Sequence, residues 1–496
     1  MKKSAQIHKA LTIFTYTVML TGMTLLLAVV FRYPQNHLIP RQMIPGVGIC
    51  VIVLLAAGAL WNKIYSLIGK RTPLYLLALA IFGVLLYITS LSRQGNENTL
   101  LDYTYVYRDA MNLATGGTLE YTDYFVTYSN NLKPMLLLSV WFRVAVLLGI
   151  SPFHFVLLRN VLLVLLVVWA CGYLTEQNED CRWRFPILLT FAFLLPLWDM
   201  VSVFYTDSMS FGLGILTLAL LKKAGSTKTN KGKILWSVLA GVTTILAIIW
   251  KITAIIPLIA CTMILLWQRE KADRHVILSL VVSVIVFGVG LQLWANTYDV
   301  TRKAAVTANP VISWVALGMK EDGSWTNNTE LVEQMYQFST KEEKQQYCVE
   351  YIRENKADFF NAEHLRKKAS YNFANGNLGA SAFLNVEQND QTLIWEMFSP
   401  WGSYYWRTSQ LCYCYLVSVY VLLWIGMLFS LRNVIRGQNP PSLLMICQLN
   451  FIGIAVFLML WEASSRQLYN QMPGILLGGV LSIDYFWKNL SIKPRK

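Results

Sequence analysis

Residues 11–31 read LTIFTYTVMLTGMTLLLAVVF, without a single charge. A helix needs about 20 predominantly apolar residues to cross a bilayer, so this stretch is long enough to span. Lys2, Lys3 and Lys9 precede it, and no small-residue cleavage site interrupts it, which reads as a retained first helix rather than a removed signal. The same pattern recurs at 44–61, 74–91, 135–150, 155–174, 185–198, 208–221, 234–250, 253–266, 276–293, 413–431, 443–461 and 474–486. Over its 496 residues the chain is 55% hydrophobic and 14% charged, where soluble domains carry about 25% charged residues. The expectation is an all-α, polytopic transmembrane protein with roughly 11–13 helices.

Charge orients these runs. The net charge is +14, yet residues 296–406 hold 10 Lys/Arg and 14 Asp/Glu, net −4, so the remainder carries +18. The basic residues sit in short loops: Lys63 to Arg71, Lys222 to Lys233, Arg269 to Arg274, Arg432 and Arg436, and the tail from Lys488. That is the positive-inside bias, a topology signal rather than a nucleic-acid surface. It places the polar loop 92–133 outside, together with Asp207, Lys251, the 462–470 turn and the 296–406 segment. Three apolar runs lie between Asp102 and Asp207, and both acids are outside only if two of them cross. The 135–150 run, short and carrying Arg143, is expected to be interfacial, re-entrant or merged with a neighbour. The resulting division is a membrane module over 1–295 with the external loop 92–133, an extracytoplasmic, mostly helical region over 296–406, and C-terminal transmembrane helices over 407–496. Within the external region, Leu331, Met335, Phe338, Tyr347 and Tyr351 give the 329–358 stretch a rough apolar face.

Several chemistries are missing from the sequence. The eight cysteines are scattered without a CxxC pair, and the five histidines show no metal-ligand spacing. No P-loop or dinucleotide fingerprint occurs, and no metal site is expected from spacing alone.

Ionisable groups at a membrane boundary are costly unless paired or hydrated, which selects a few residues. Asp102 follows the third run and has the chemistry of a base for an attacking hydroxyl, or of a loop acid. Asp207, in Tyr205-Thr206-Asp207, is a second external carboxylate, or a helix N-cap. Lys251 follows Trp250 and suits a lipid phosphate, or snorkels to the interface. Glu462 and Arg466, four apart, share one face if the turn is helical, and Arg suits bidentate phosphate recognition. Trp314, in the apolar 314–325 segment, covers a substrate or belongs to a local core.

The order of these elements resembles the bacterial integral-membrane glycosyltransferases of the C-type fold, relatives of the protein-mannosyltransferase and aminoarabinose-transferase group. The residues that carry the resemblance are Asp102 with Ala110, Leu113 and Gly116; Tyr124-Phe125; Tyr128-Ser129-Asn130-Asn131, with Ser129 in place of Pro; Tyr205-Thr206-Asp207; Lys251; Trp314 to Gly318, with Leu317 in place of Met; and Glu462 with Arg466, with Gln467 in place of Tyr. The resemblance implies transfer of a sugar from a polyprenyl-phosphate donor to an extracytoplasmic glycan, teichoic acid, lipid or protein, at a site facing outward from the cytoplasmic membrane. It implies inversion with Asp102 as base, Lys251 and Arg466 on the leaving phosphate, and Asp207 supporting the acceptor, a cation or the Asp102 loop. Tyr128, Asn131, Trp314 and Glu462 complete the expected binding residues. Some members of that group use a divalent metal and others do not, so the cofactor is left open. The partners expected are the lipid-linked donor, membrane lipids and the acceptor, with no nucleic acid. The competing readings are a transporter or flippase, which should show internal repeats and mid-helix charges, and an inactive scaffold of the same fold.

Overall fold

The computed structural model describes residues 2–68, 72–91, 102–176, 180–268, 273–384 and 392–491. The basic residues Lys70, Arg71, Arg269 and Lys271, the stretch 92–101 of the external loop and the tail after Ser491 lie outside the described residues. Every element in the described residues is a helix, and the protein is an all-α polytopic membrane protein. Among the described residues, eight helices are long and apolar enough to cross a bilayer: Gln6–Arg32, Pro40–Tyr65, Thr72–Ser90, Pro152–Thr175, Asn230–Trp250, Arg274–Ala295, Tyr405–Ile435 and Ser442–Leu460.

Three of the other apolar runs form shorter or broken helices. Leu132–Leu147 has 16 residues, roughly 24 Å of helix against a hydrocarbon core of about 30 Å, and Arg143 stands exposed on it. The 185–198 run divides into Arg184–Ala192 and Leu195–Met200. Pro196 has no N–H to give the Ala192 carbonyl, and the Trp198 indole takes that carbonyl instead at 2.9 Å. The 208–221 run becomes the helix Leu213–Ser226, because Gly212 (φ +64°) turns the chain just before it. A Cβ on Gly212 would lie 2.5 Å from Val167 Cγ1, so no other residue fits without a shift. Asp207 is thereby left on a separate single turn, Thr206–Met209.

The helix Met472–Ser491 runs through the middle of the bundle, packed on Tyr405–Ile435, Ser442–Leu460 and Arg184–Ala192. Small residues permit this. A Cβ at Gly478 would come within 2.6 Å of Leu423 and 2.9 Å of Cys447, and one at Gly426 within 2.3 Å of Ser482. In a membrane, where apolar burial drives little association, such close backbone contact is a main source of helix packing. The outer helices differ sharply. Of the apolar window of Pro152–Thr175, 61% is buried, but only 6% of that of Arg274–Ala295, which therefore faces lipid along its length.

Between Ala295 and Tyr405 the described residues fold into short helices. The apolar face read over 329–358 is carried by two helices, Thr329–Met335 and Lys341–Glu354. They are separated because Thr340 and Glu343 form a reciprocal capping box that starts the second one. Leu331, Val332, Met335 and Cys348 close over Ala316 and Leu317 as a small separate core. Phe373, Leu378 and Phe383 instead join the main core, which anchors this region onto the bundle.

Candidate functional site

The Asp102–Ala114 helix presents Tyr103, Val106, Tyr107 and Ala110 to the core, the i, i+3, i+4, i+7 spacing of one helical face. Asp102 opens that helix and is half-buried. The Tyr205 hydroxyl donates to its Oδ2 at 3.2 Å. Tyr205 Oη is also 3.4 Å from Asn131 Oδ1, and Asn131 Nδ2 donates to the Tyr124 hydroxyl at 2.6 Å. Asp102, Tyr205, Asn131 and Tyr124 thus form one polar corner. Burial first, then the nearby charges of Asp102 and other groups, pushes the Tyr205 phenol well above its ordinary value, so it remains a proton donor. Asp109, on the same helix, is fully buried and accepts the Glu120 and Tyr121 N–H groups at 2.8 and 2.9 Å. Its carboxylate pins the following loop.

Behind Tyr205 lies a cluster of charges. Asp207 is 1% exposed and forms a close ion pair with Lys251. No side-chain cap of its own helix is formed by it or its neighbours, so the N-cap reading of Asp207 does not hold. Lys251 is the extended residue between Asn230–Trp250 and the turn Ile252–Ile255; its ammonium turns inward to the acid and does not snorkel. Arg466 Nε lies 4.0 Å from Asp207 Oδ2. The guanidinium sits between the Tyr205 and Phe383 rings, 5.7 Å from each centroid, a cation–π arrangement. Gly379, with φ +73°, passes close enough that a Cβ there would be 2.9 Å from Arg466 Cβ.

Glu462 and Arg466 do not share a helical face. The helix ends at Leu460, Trp461 is extended, and only Ser465–Gln471 resumes a turn, of 3-10 type. The reason is a set of tertiary hydrogen bonds that holds the exit straight: Ala463 N–H donates to Gly323 O at 2.7 Å, and Ser464 N–H to Asn372 Oδ1 at 2.8 Å. Asn372 also donates to Leu458 O at 3.3 Å. Arg466 accordingly pairs with Asp207. Glu462 keeps part of its surface open, and burial pushes its carboxyl up to about 7 although Arg466 and Lys251 pull it down. Burial lowers Lys251, with Asp207 opposing. For Arg466 burial also disfavours the charge, but Asp207, Tyr205, Asp102 and Glu462 together hold it protonated. The cluster balances finely: Lys251 and Arg466 offset Asp102 and Asp207, and Glu462 decides whether the total is neutral or carries one negative charge.

Tyr128 extends the polar corner toward the 296–406 region, its hydroxyl 2.8 Å from that of Tyr336 and its ring 6.3 Å from Trp314. Trp314 itself packs on the small core, so the local-core reading fits its segment. Sequence reasoning passed over Tyr205 and Tyr124 as site residues, although both stand in the motifs quoted above. It had no signal for Phe383 or Asn372, nor for Lys368. Lys368 is fully buried and donates to Gly318 O at 2.7 Å; burial brings its ammonium down to about 7. Near the charged cluster, a cavity of about 520 Å³ is lined by Arg32, Tyr33, Arg366 and Tyr371 among others. Tyr371 stands within reach of the charges of Glu462 and Arg466.

Among the described residues, no three His, Cys, Asp or Glu side chains are grouped to hold a metal ion. No curated protein and no solved structure matches the chain. A family model does match, over residues 42–487, a span that contains Asp102, Asp207, Lys251, Glu462 and Arg466. The chain belongs to the family described as conserved hypothetical integral membrane protein.

Proposed function

We propose that this protein is a glycosyltransferase, moving a sugar from a polyprenyl-phosphate donor to a hydroxyl of an envelope glycan, teichoic acid, lipid or protein outside the cytoplasmic membrane. The observation that supports this reading is a convergence. Asp102, Asp207, Lys251, Glu462 and Arg466 come from four widely separated stretches of chain and meet around Tyr205. A half-buried carboxylate within electrostatic reach of Arg466, which shares Asp207 with Lys251, suits a displacement that needs one base and one charge-stabilised leaving group.

In that reaction the acceptor oxygen forms a bond to the anomeric carbon as the bond from that carbon to the phosphate oxygen breaks. The acceptor proton passes to the Asp102 carboxylate, the electron pair leaves with the phosphate, and the anomeric centre inverts. Tyr205, donating to Asp102, orients the base. Lys251 and Arg466 meet the negative charge that develops on the departing polyprenyl phosphate, where fixed cations act most strongly. Asp207 holds both cations in position and is a positioning residue rather than a base. Glu462 in its protonated form leaves the cluster able to accept an anion.

The test is turnover by the purified full chain in detergent, offered a panel of polyprenyl-phosphate sugars and read as release of polyprenyl phosphate. Consumption of one donor that disappears in Asp102→Asn is expected. Wild-type turnover in Asp102→Asn removes the base assignment, and no consumption of any donor by the wild type removes the transferase reading.

A further inference from the structure

A second cavity, of about 460 Å³, lies beyond the C-terminal end of the Asp102–Ala114 helix. That helix is roughly 20 Å long, which separates the cavity from Asp102. Leu113, Gly116 and Gly117 line one side, Arg143 another, and Trp294 and Tyr298 a third. Its composition is unusual for a chance gap. Arg143 sits on a largely apolar helix whose other charge, Lys133, lies at its far end, and among the described residues Arg143 forms no hydrogen bond or ion pair; neither do the Trp294 indole or the Tyr298 hydroxyl. Three donors, one of them charged, therefore line one cavity with no protein acceptor.

The position identifies the ligand. Trp294 ends the Arg274–Ala295 helix, whose apolar face is almost entirely unburied and meets lipid. Trp and Tyr at the end of such a helix mark the level of the lipid headgroups. A cation at that level is either hydrated or paired with an anion, and Arg143 is exposed there with two neutral donors beside it. The group available at that depth is a lipid phosphate, whose oxygens accept several hydrogen bonds at once while its chains lie along the exposed face of 274–295.

We propose that this cavity binds the phosphodiester headgroup of an anionic membrane lipid, through Arg143 with the Trp294 N–H and the Tyr298 hydroxyl. The site stands independently of the transferase reading, since Arg143, Trp294 and Tyr298 belong to neither the Asp102 corner nor the Asp207 cluster.

Native mass spectrometry of the detergent-purified full chain, titrated with phosphatidylglycerol and with phosphatidylcholine, tests it. Phosphatidylglycerol should be retained in preference. Arg143→Gln should weaken that retention roughly tenfold or more, the scale of a lost charged hydrogen bond, and Arg143→Lys should weaken it less, because a point charge survives. Tyr298→Phe, which keeps the ring and removes only the donor, should cost about twofold to tenfold. Equal retention of both lipids overturns the proposal, as does unchanged phosphatidylglycerol binding in Arg143→Gln. Displacement of the lipid by inorganic phosphate at matching concentration overturns the lipid assignment.

Discussion

Asp102 and Asp207 occupy neighbouring corners around one tyrosine, yet their surroundings are opposite. Asp102 is half-buried and meets the Tyr205 hydroxyl. Asp207 is sealed from solvent and held by Lys251, with Arg466 at 4.0 Å. The first carboxylate meets a neutral hydroxyl and keeps part of its surface open; the second is closed in by a lysine and an arginine. The same side chain is thus suited to accept a proton in one corner and to fix the geometry of cations in the other.

The most severe break of this contrast is Asp102→Asn. It should lower transfer by about 10²–10⁴, the scale of a lost general base, while thermal unfolding in detergent stays near wild type. Asp207→Asn should do the reverse in kind. It strands two buried cations, and breaking a buried pair costs about 3–5 kcal/mol, so its unfolding midpoint should fall sharply. If Asp207→Asn keeps wild-type stability, the anchor role is wrong.

Tyr205→Phe sharpens the contrast, because it removes the donor to Asp102 and leaves the ring under Arg466. A loss of about 1.5–3 kcal/mol is expected for a hydrogen bond to a charged group, read as a lower kcat with KM for the donor little changed. The smallest effect belongs to Glu462. Its carboxyl titrates at about 7, so rising pH adds a negative charge beside the cations and should raise KM for a phosphate-bearing donor above neutrality. Glu462→Gln should flatten that limb of the pH profile. An unchanged profile would separate Glu462 from donor binding.

The membrane fold was legible because hydrocarbon imposes a length and a composition that can be counted directly in the sequence. The site was legible only as separate points. Asp102, Asp207, Lys251, Glu462 and Arg466 each stood out by chemistry, but nothing local joins residues so far apart. Where local reasoning did try to join two, it failed: the spacing of Glu462 and Arg466 suits a helix, and the chain is instead held extended by Gly323 and Asn372, from more than ninety positions away. Phe383 illustrates the same limit, since a phenylalanine in a polar segment carries no sign that a guanidinium will lie over it. Pro196 and Gly212 interrupt the 185–198 and 208–221 runs, which read as continuous by hydropathy, because a run of apolar residues does not register a missing N–H or a left-handed turn.

The wide spacing of the cluster also sets an order of assembly. Asp207 and Lys251 are made close together, on either side of one helical hairpin, and can neutralise each other early. Arg466 leaves the ribosome some two hundred residues later, on the order of 10–40 s at typical elongation rates. During that interval Asp207 and Lys251 already have each other as partners, so neither waits for Arg466. The arginine then docks onto a pair already in place, so the stretch between Ser442–Leu460 and Met472–Ser491 completes the site.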